Sequence, residues 1–410
     1  MINMRRTAGV RCSNRGTEPL AQELAIRGGN PTLTEPFAGW PVVDDREVRE
    51  VEAVIREGVW GVGGTRLDAF AERFAEFQHV RHVLPVANGT IAIDMALEAL
   101  DVRCGDEVIV PDYTFVATAV APLRRGVRPV LVDVKPDTFN IDPDRIEAAI
   151  TDRTRAVIVV HFGGHPCDMA RIMHLADRYG LRVIEDCAHA HGAHRDGQHA
   201  GAWGEIGTFS FQSSKTLCCG EGGAVVTGSS RLHERLKAIH NAGRHGCMDD
   251  YNHFTNGTNY RMTELQGGLL LAQMARLEEL CNLRHRQGGR LNALLDRIDG
   301  VRPQARADGL GRHGHYLYPF VLEADVPRDA FKKALKAEGV PVEDQYPALH
   351  TIECLRKSGV TDGAFPVASE IADRSVWIFH HALMAEDAQI DRIAAAVEKV
   401  LAARADLTTI

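Results

Sequence analysis

The chain has 410 residues, 45% of them hydrophobic and 25% charged, with a formal net charge of -8. That size and apolar content predict a large core with a smaller second one, and the acidic balance argues against a nucleic-acid or anionic-membrane surface. Nine scattered cysteines without a C-x-x-C pair fit reduced thiols better than a disulfide framework. No apolar segment follows Met1–Arg6 and no run nears the roughly 20 residues of a bilayer span, so a cytoplasmic protein is expected.

Residues 1 to about 30 are polar and irregular and read as a loosely held arm. Val48, Val51, Val54 and Ile55 recur at helical spacing, and Asp44 or Asp45 is placed to cap the helix they form. A second helix follows over 66–77. Strands and helices then alternate. Strands are expected at 107–110, 129–133, 156–160 and 182–185, with helices at 90–100, 117–125, 143–150 and 168–179. Short continuous apolar strands between helices indicate a mostly parallel sheet covered on both faces, where ligands gather at the strands' carboxyl ends. A strand at 207–211, a polar turn with Lys215, a glycine-rich elbow and a second strand at 224–227 come next. One long helix spans about 266–295. A strand at 316–322, a helix at 328–338 and an amphipathic helix at 387–404 make a smaller α+β part.

Four polar groups fall where strand ends are expected. Asn88-Gly89-Thr90 opens a helix, so its backbone N–H groups, the helix dipole and a hydroxyl suit an anion; an ordinary N-cap turn has the same composition. Pro111-Asp-Tyr-Thr-Phe115 follows a strand, and either aromatic can pack or stack on a flat ring. Glu185-Asp186-Cys-Ala-His189-Ala-His191 follows another strand, where a carboxylate can pair with a ring nitrogen or cap a helix. Cys187, His189, His191 and His194 invite a metal reading, but residues two apart in a turn rarely converge on one ion, and no metal is expected. The last group is the turn of Ser210, Gln212 and Lys215. A lysine between two buried strands is unusual, and desolvation favours its free amine. An anion cradle, a stacking aromatic, a carboxylate and a sequestered lysine together match the needs of pyridoxal 5'-phosphate.

In Asn88-Gly-Thr90, Pro111-Asp-Tyr-Thr-Phe-Val-Ala-Thr118, Glu185-Asp-Cys-Ala-His-Ala-His-Gly192, Phe209-Ser-Phe-Gln-Ser-Ser-Lys215, Gly220-Glu-Gly-Gly223 and Gly257-Thr-Asn-Tyr-Arg-Met262 the chain resembles the DegT/DnrJ/EryC1/StrS aminotransferases. The resemblance implies the type I, aspartate-aminotransferase-like fold. Its large domain carries a mostly parallel seven-stranded sheet, and here that suggests an arm at 1–40, a large domain at 41–285 and a small one at 286–410.

Carried over, Lys215 resembles the lysine that forms the internal aldimine and shuttles the proton, and Asp186 the partner of the pyridinium nitrogen. Phe115 resembles the ring-stacking aromatic. Asn88, Gly89, Thr90 and Ser210 belong to the phosphate site. His189 stands where many members have glutamine near the phenolic oxygen. Asn259 resembles the asparagine that reaches the partner's phosphate in an obligatory homodimer. Gln212 stands where most nucleotide-sugar members have histidine; with Gly28-Gly-Asn-Pro31 and Trp40-Pro41 it resembles the StrS-like branch. That branch includes scyllo-inosose aminotransferases and 3-amino-5-hydroxybenzoate synthases of antibiotic pathways.

The resemblance therefore implies transfer of an amino group from L-glutamine or L-glutamate to a keto cyclitol or keto sugar. A nucleotide-sugar aminotransferase and a lysine-retaining dehydratase are the alternatives. Arg244, His245, Tyr346, His350, His380 and His381 are further candidates for the acceptor pocket.

Overall fold

The computed structural model describes residues 23–244 and 252–410. Its strands, in chain order, are β1 (His82–Val86), β2 (Glu107–Pro111), β3 (Arg128–Val132), β4 (Thr154–Val160), β5 (Arg182–Asp186), β6 (His194–Arg195), β7 (Gln198–His199), β8 (Ile206–Ser210) and β9 (Gly223–Thr227). They continue with β10 (Val301–Pro303), β11 (Leu310–Arg312), β12 (Leu317–Leu322), β13 (Val342–Glu343) and β14 (Ser375–Phe379).

Seven of them form one sheet in the order β1-β9-β8-β5-β4-β2-β3. The five strands from β8 to β3 are parallel, and β9 runs antiparallel to both its neighbours. The chain thus has the mostly parallel seven-stranded sheet of the expected fold. Strand β1 was missed from sequence because Pro85 interrupts it; at a sheet edge, a residue without an N–H is tolerated. Every residue of β2, β8 and β9 is buried. That accounts for their continuous apolar pattern, since helices cover both faces.

The 32-residue helix Glu264–Leu295 runs from the large sheet to a second, antiparallel sheet, β10-β12-β14-β13. Its two ends bury different side chains: Leu270 and Leu277 join the core beneath β8 and β9, while Leu291 and Leu295 join the core of the small sheet. Strand β11 pairs with the β6–β7 hairpin in a separate three-stranded sheet, which ties the later chain to the segment between β5 and β8.

The arm expected over residues 1–30 lies outside the described residues up to residue 22. From residue 23 onward it is not loose. Leu24 and Leu33 are buried against the small sheet, and the N–H groups of Ala25 and Thr32 donate to the Glu338 carboxylate at 2.9 Å each. Lys399 neutralises that buried carboxylate at 2.9 Å. The composition of the segment is polar, but two leucines and one acid 306 residues away from Thr32 hold it.

Helix Asp45–Glu57 starts with a capping box between Asp44 and Glu47. Its apolar stripe is only partly used: Val54 is buried, whereas Val48 is 60% and Ile55 53% exposed. Among the described residues, no helix is long and apolar enough to cross a membrane.

Candidate active site

The carboxyl ends of β1, β5 and β8 and the start of β9 lie along one edge of the large sheet. In register, Val86 and Ser210 both face Gly223, and Asp186 faces both Val160 and Thr208. Above this edge opens a cleft of about 730 Å³. It is lined by Asn88, Gly89, Thr90, Phe115, Asp186, His189, Ser210, Gln212 and Lys215 among others, so the topology brings nine of the ten expected residues together. Asn259 is the exception. It is exposed, does not line the cleft, and bridges Asn241 in an adjoining loop.

At one end of the cleft is a cradle built from missing side chains. The Asn88 side chain caps helix Gly89–Ala99 by accepting from the Ile91 N–H at 2.9 Å. The first N–H groups of the helix, those of Gly89 and Thr90, have no partner within it and face outward. A Cβ on Gly89 would stand 2.9 Å from the Ser210 Cβ, and one on Gly223 would stand 2.5 Å from the Asn88 carbonyl carbon. Only glycine at both places lets the helix start sit down on the strand ends beside the Ser210 hydroxyl. The result suits a phosphate.

Asp186 ends β5 in the middle of the edge. Its carboxylate accepts from the Ala188 N–H and the Thr118 hydroxyl, each at 3.1 Å. The Thr118 proton is committed to that bond, so Thr114, 3.2 Å from Thr118, donates to it in turn. Burial pushes the Asp186 carboxyl above its ordinary range, against the pull of those hydrogen bonds and of the Lys215 charge. A buried carboxylate of this kind favours a cationic N–H partner.

Lys215 is 9% exposed. Its turn is fixed by the Lys215 N–H donating to the Gln212 carbonyl at 2.8 Å. From outside, the Trp40 indole N–H donates to the Ser213 carbonyl at 3.1 Å, and His380 Nε2 donates to the Ser214 carbonyl at 2.9 Å. Among the described residues no carboxylate forms an ion pair with the amine; its Nζ lies 4.0 Å from the centre of the Tyr316 ring.

The histidines around Lys215 are neutral. Burial first, and the lysine charge second, hold His189 well below its ordinary range and His191 down to about 3. The Gly163 N–H donates to His189 Nδ1 at 3.3 Å, which leaves the proton on Nε2, where it is available as a donor.

The other candidates separate. Gln212 lines the cleft with its amide engaged: Nε2 donates to Ser213 at 2.8 Å and Oε1 accepts from Ser214. Tyr346 lines the cleft, whereas His350 is drawn away to Asp112, with Nδ1 at 2.5 Å from its carboxylate. His380 braces the lysine turn, and His381 packs on Phe379. Arg244 lines a separate groove, and His245 lies outside the described residues.

Among the described residues, one cluster has metal-ligand atoms close together: His161, Glu185 and Cys187. Its donors are already spent, because Glu185 accepts from the N–H groups of Gly201, Trp203 and Gly204 at 2.8–2.9 Å and His161 from that of Cys167.

Sequence reading missed Trp40's contact with the turn and Tyr316 altogether. Tyr316 was visible as an aromatic at the start of a predicted strand; nothing local placed it near a lysine 101 positions earlier.

The sequence profile of the DegT/DnrJ/EryC1/StrS aminotransferase family matches residues 41–398. The chain belongs to that family. Among relatives, an L-glutamine:2-deoxy-scyllo-inosose aminotransferase of Streptoalloteichus tenebrarius is 36% identical, over 92% of this chain and 97% of its own. A putative L-glutamine:3-amino-2,3-dideoxy-scyllo-inosose aminotransferase of the same organism is 38% identical, over 93% and 98%. The crystal structure of 3-amino-5-hydroxybenzoic acid synthase superposes with a TM-score of 0.86 at 33% identity, covering 89% of this chain and 98% of that one. The DegT/DnrJ/EryC1/StrS protein described here is therefore an aminotransferase.

Proposed function

We infer that the protein uses pyridoxal 5'-phosphate to move the amino group of L-glutamine, or L-glutamate, onto a keto cyclitol or keto sugar in antibiotic biosynthesis, as a cytoplasmic homodimer. The residues fit the cofactor on three counts. The Gly89–Ser210–Gly223 cradle leaves backbone N–H groups for a phosphate. Asp186 is a buried carboxylate suited to a protonated ring nitrogen. Lys215 is a buried amine without an acidic partner. When bound, the cofactor supplies an aldehyde carbon and a ring that withdraws electrons.

Within this reading Gly89, Thr90 and Ser210 hold the phosphate, with Asn88 fixing the turn. Phe115, half exposed at the mouth of the cleft, offers a face to the ring. Asp186 would keep the ring nitrogen protonated, and His189 would offer its Nε2 proton to the phenolic oxygen. Lys215 would hold the cofactor through its amine and, when free, carry the proton. Gln212 acts through the lysine turn.

One observation favours a keto cyclitol over a nucleotide sugar. Among the described residues that line the cleft, the lysines and arginines are Lys215 and Arg124, beside the carboxylates of Asp94, Asp186 and Glu221. A diphosphate handle calls for several cations, whereas ring hydroxyls pair with neutral donors and acceptors such as Tyr316, Tyr346 and His189. The names of the scyllo-inosose relatives point the same way. The likeness to 3-amino-5-hydroxybenzoate synthase supports a second reading, dehydration with the lysine retained.

A panel of keto cyclitols, nucleotide keto sugars and amino ring ketones that dehydration would aromatise, each with L-glutamine, tests this by product mass. A cyclitol amine is expected, with a specificity constant at least tenfold above any nucleotide sugar. Preferential amination of a nucleotide sugar, or an aromatic product, would reverse the assignment.

The homodimer rests on surface left uncovered in one chain. Val48, Ile55, Trp60 and Val62 are each more than half exposed. Asn259 is exposed outside its own cleft; its Oδ1 accepts from the Arg261 N–H at 3.2 Å, which leaves its amide N–H groups for a second copy's phosphate. Mixed dimers of inactive Lys215→Ala and inactive Asn259→Ala chains are expected to recover about a quarter of wild-type activity, the share of sites with both residues intact given statistical mixing. No recovery would contradict a shared site.

A further inference from the structure

We propose that Tyr316 is the positioning residue for Lys215: its ring face holds the lysine amine whenever the lysine is not bonded to cofactor. The inference rests on the functional reading above and adds a residue to it. Lys215 Nζ lies 4.0 Å from the Tyr316 ring centre, and the ring itself lies tilted against His189, centroids 4.3 Å apart and planes 30° apart. An ammonium over an aromatic face in a desolvated site is attracted by the ring quadrupole. The neighbouring histidines are neutral, so they do not compete for that face with a charge of their own.

The ring is aimed from two sides. Ser214 Oγ donates to Gln212 Oε1 at 2.7 Å, which uses its one proton. The Tyr316 hydroxyl, 2.9 Å from the same Oγ, therefore donates to it. A one-way chain of hydrogen bonds, Tyr316 to Ser214 to Gln212, thus sets the rotation of the ring.

From the backbone side, His315 sits in the left-handed region at φ 44°, an unfavourable place for a residue with a side chain. Its N–H donates to His313 Nδ1 at 2.8 Å. Room for it exists because Gly164 and Gly288 lack side chains: a Cβ on Gly164 would be 2.5 Å from the His315 nitrogen, and one on Gly288 2.3 Å from its ring. Two glycines from distant segments and a strained residue fix the chain one step before Tyr316. Gln212, read from sequence as a cofactor neighbour, is the end of the chain that orients the ring.

The test uses Tyr316→Phe, which keeps the ring and loses the hydroxyl, and Tyr316→Leu, which loses the ring; Tyr316→Met replaces the latter if leucine does not fold. In the cofactor-free protein, labelling of Lys215 by an amine-reactive reagent is read by peptide mass spectrometry. It is expected to match wild type within about twofold in the Phe variant and to speed up about tenfold in the Leu variant, because the ring no longer holds the ammonium. In the loaded enzyme, the reaction with L-glutamine alone is followed by absorbance. The Leu variant is expected to slow it about tenfold or more with KM for glutamine within about twofold, since a misplaced amine loses its geometry.

Equal labelling in all three proteins, or a Phe variant that behaves like Leu, would overturn the role of the ring. A wild-type protein that does not react with glutamine would instead overturn the functional reading and leave the labelling result to decide the position of Lys215.

Discussion

Replacing Lys215 with alanine is expected to lower turnover by about 10³-fold or more. Under the proposed function two roles would fall to the one amine: bonding the cofactor's aldehyde and moving the proton; positioned proton transfer alone contributes about 10²–10⁴-fold. Among the described residues no other lysine lines the cleft, and His189 and His191 are tied to Gly163 and Ser210. Neither histidine is therefore placed to substitute. The fold is expected to survive, because the turn is held through backbone groups: the Ser213 and Ser214 carbonyls by Trp40 and His380, and the Lys215 N–H by Gln212. Single-turnover kinetics with L-glutamine, alongside the melting temperature, check this. A variant within tenfold of wild type would mean another group does the work.

Asp186→Asn is the second large effect, a loss of about 10²–10³-fold in kcat. An amide of the same shape can keep a bond to the Ala188 N–H and, by turning the Thr118 hydroxyl, one to Thr118. What it removes is the charge that, under the proposed function, would hold the ring nitrogen protonated. Removing one preorganised electrostatic partner from a buried site costs about that factor.

The charge also predicts a pH effect whose sign follows from burial. Because burial raises the Asp186 carboxyl, the free protein protonates it at a higher pH than an ordinary carboxylate. Cofactor affinity should therefore fall as the pH drops through that raised value, and be fully present above it. Asn at this position should show weaker binding throughout and lose that part of the pH dependence. Cofactor titrations by absorbance across pH decide it; parallel profiles in the two proteins would contradict the pairing.

The parts of this site legible from sequence are those whose chemistry is local. Asn88-Gly89-Thr90 combines a cap, a glycine and a helix start within three residues, and Asp186 directly ends an apolar strand. The α/β alternation then places such strand ends on one edge. Lys215 stood out because a charged residue separated two buried strands by a short turn.

What escaped depends on contacts far apart in the chain. Tyr316 meets Ser214 across 102 positions and Trp40 meets Ser213 across 173. No spacing rule relates them. His350 looked like a pocket residue and instead serves Asp112, a buried acid whose carboxyl burial raises to about 6. The arm misled for the opposite reason. Its polar composition hid two leucines, Leu24 and Leu33, that matter more than the residues around them.

The exposed Val48 and Ile55 show the limit of periodicity as well. Their spacing specifies an apolar face, and nothing among the described residues covers it; under the functional reading, a second copy would.

The claim on which the account stands is that Lys215 bonds the cofactor, and borohydride reduction of the loaded protein tests it most directly. Reduction fixes the bond, and peptide mapping by mass then locates it. The account predicts a single phosphopyridoxyl adduct on the peptide containing Lys215, absent from Lys215→Ala. An adduct on any other lysine, or no adduct in a protein that still transfers amine, would contradict it.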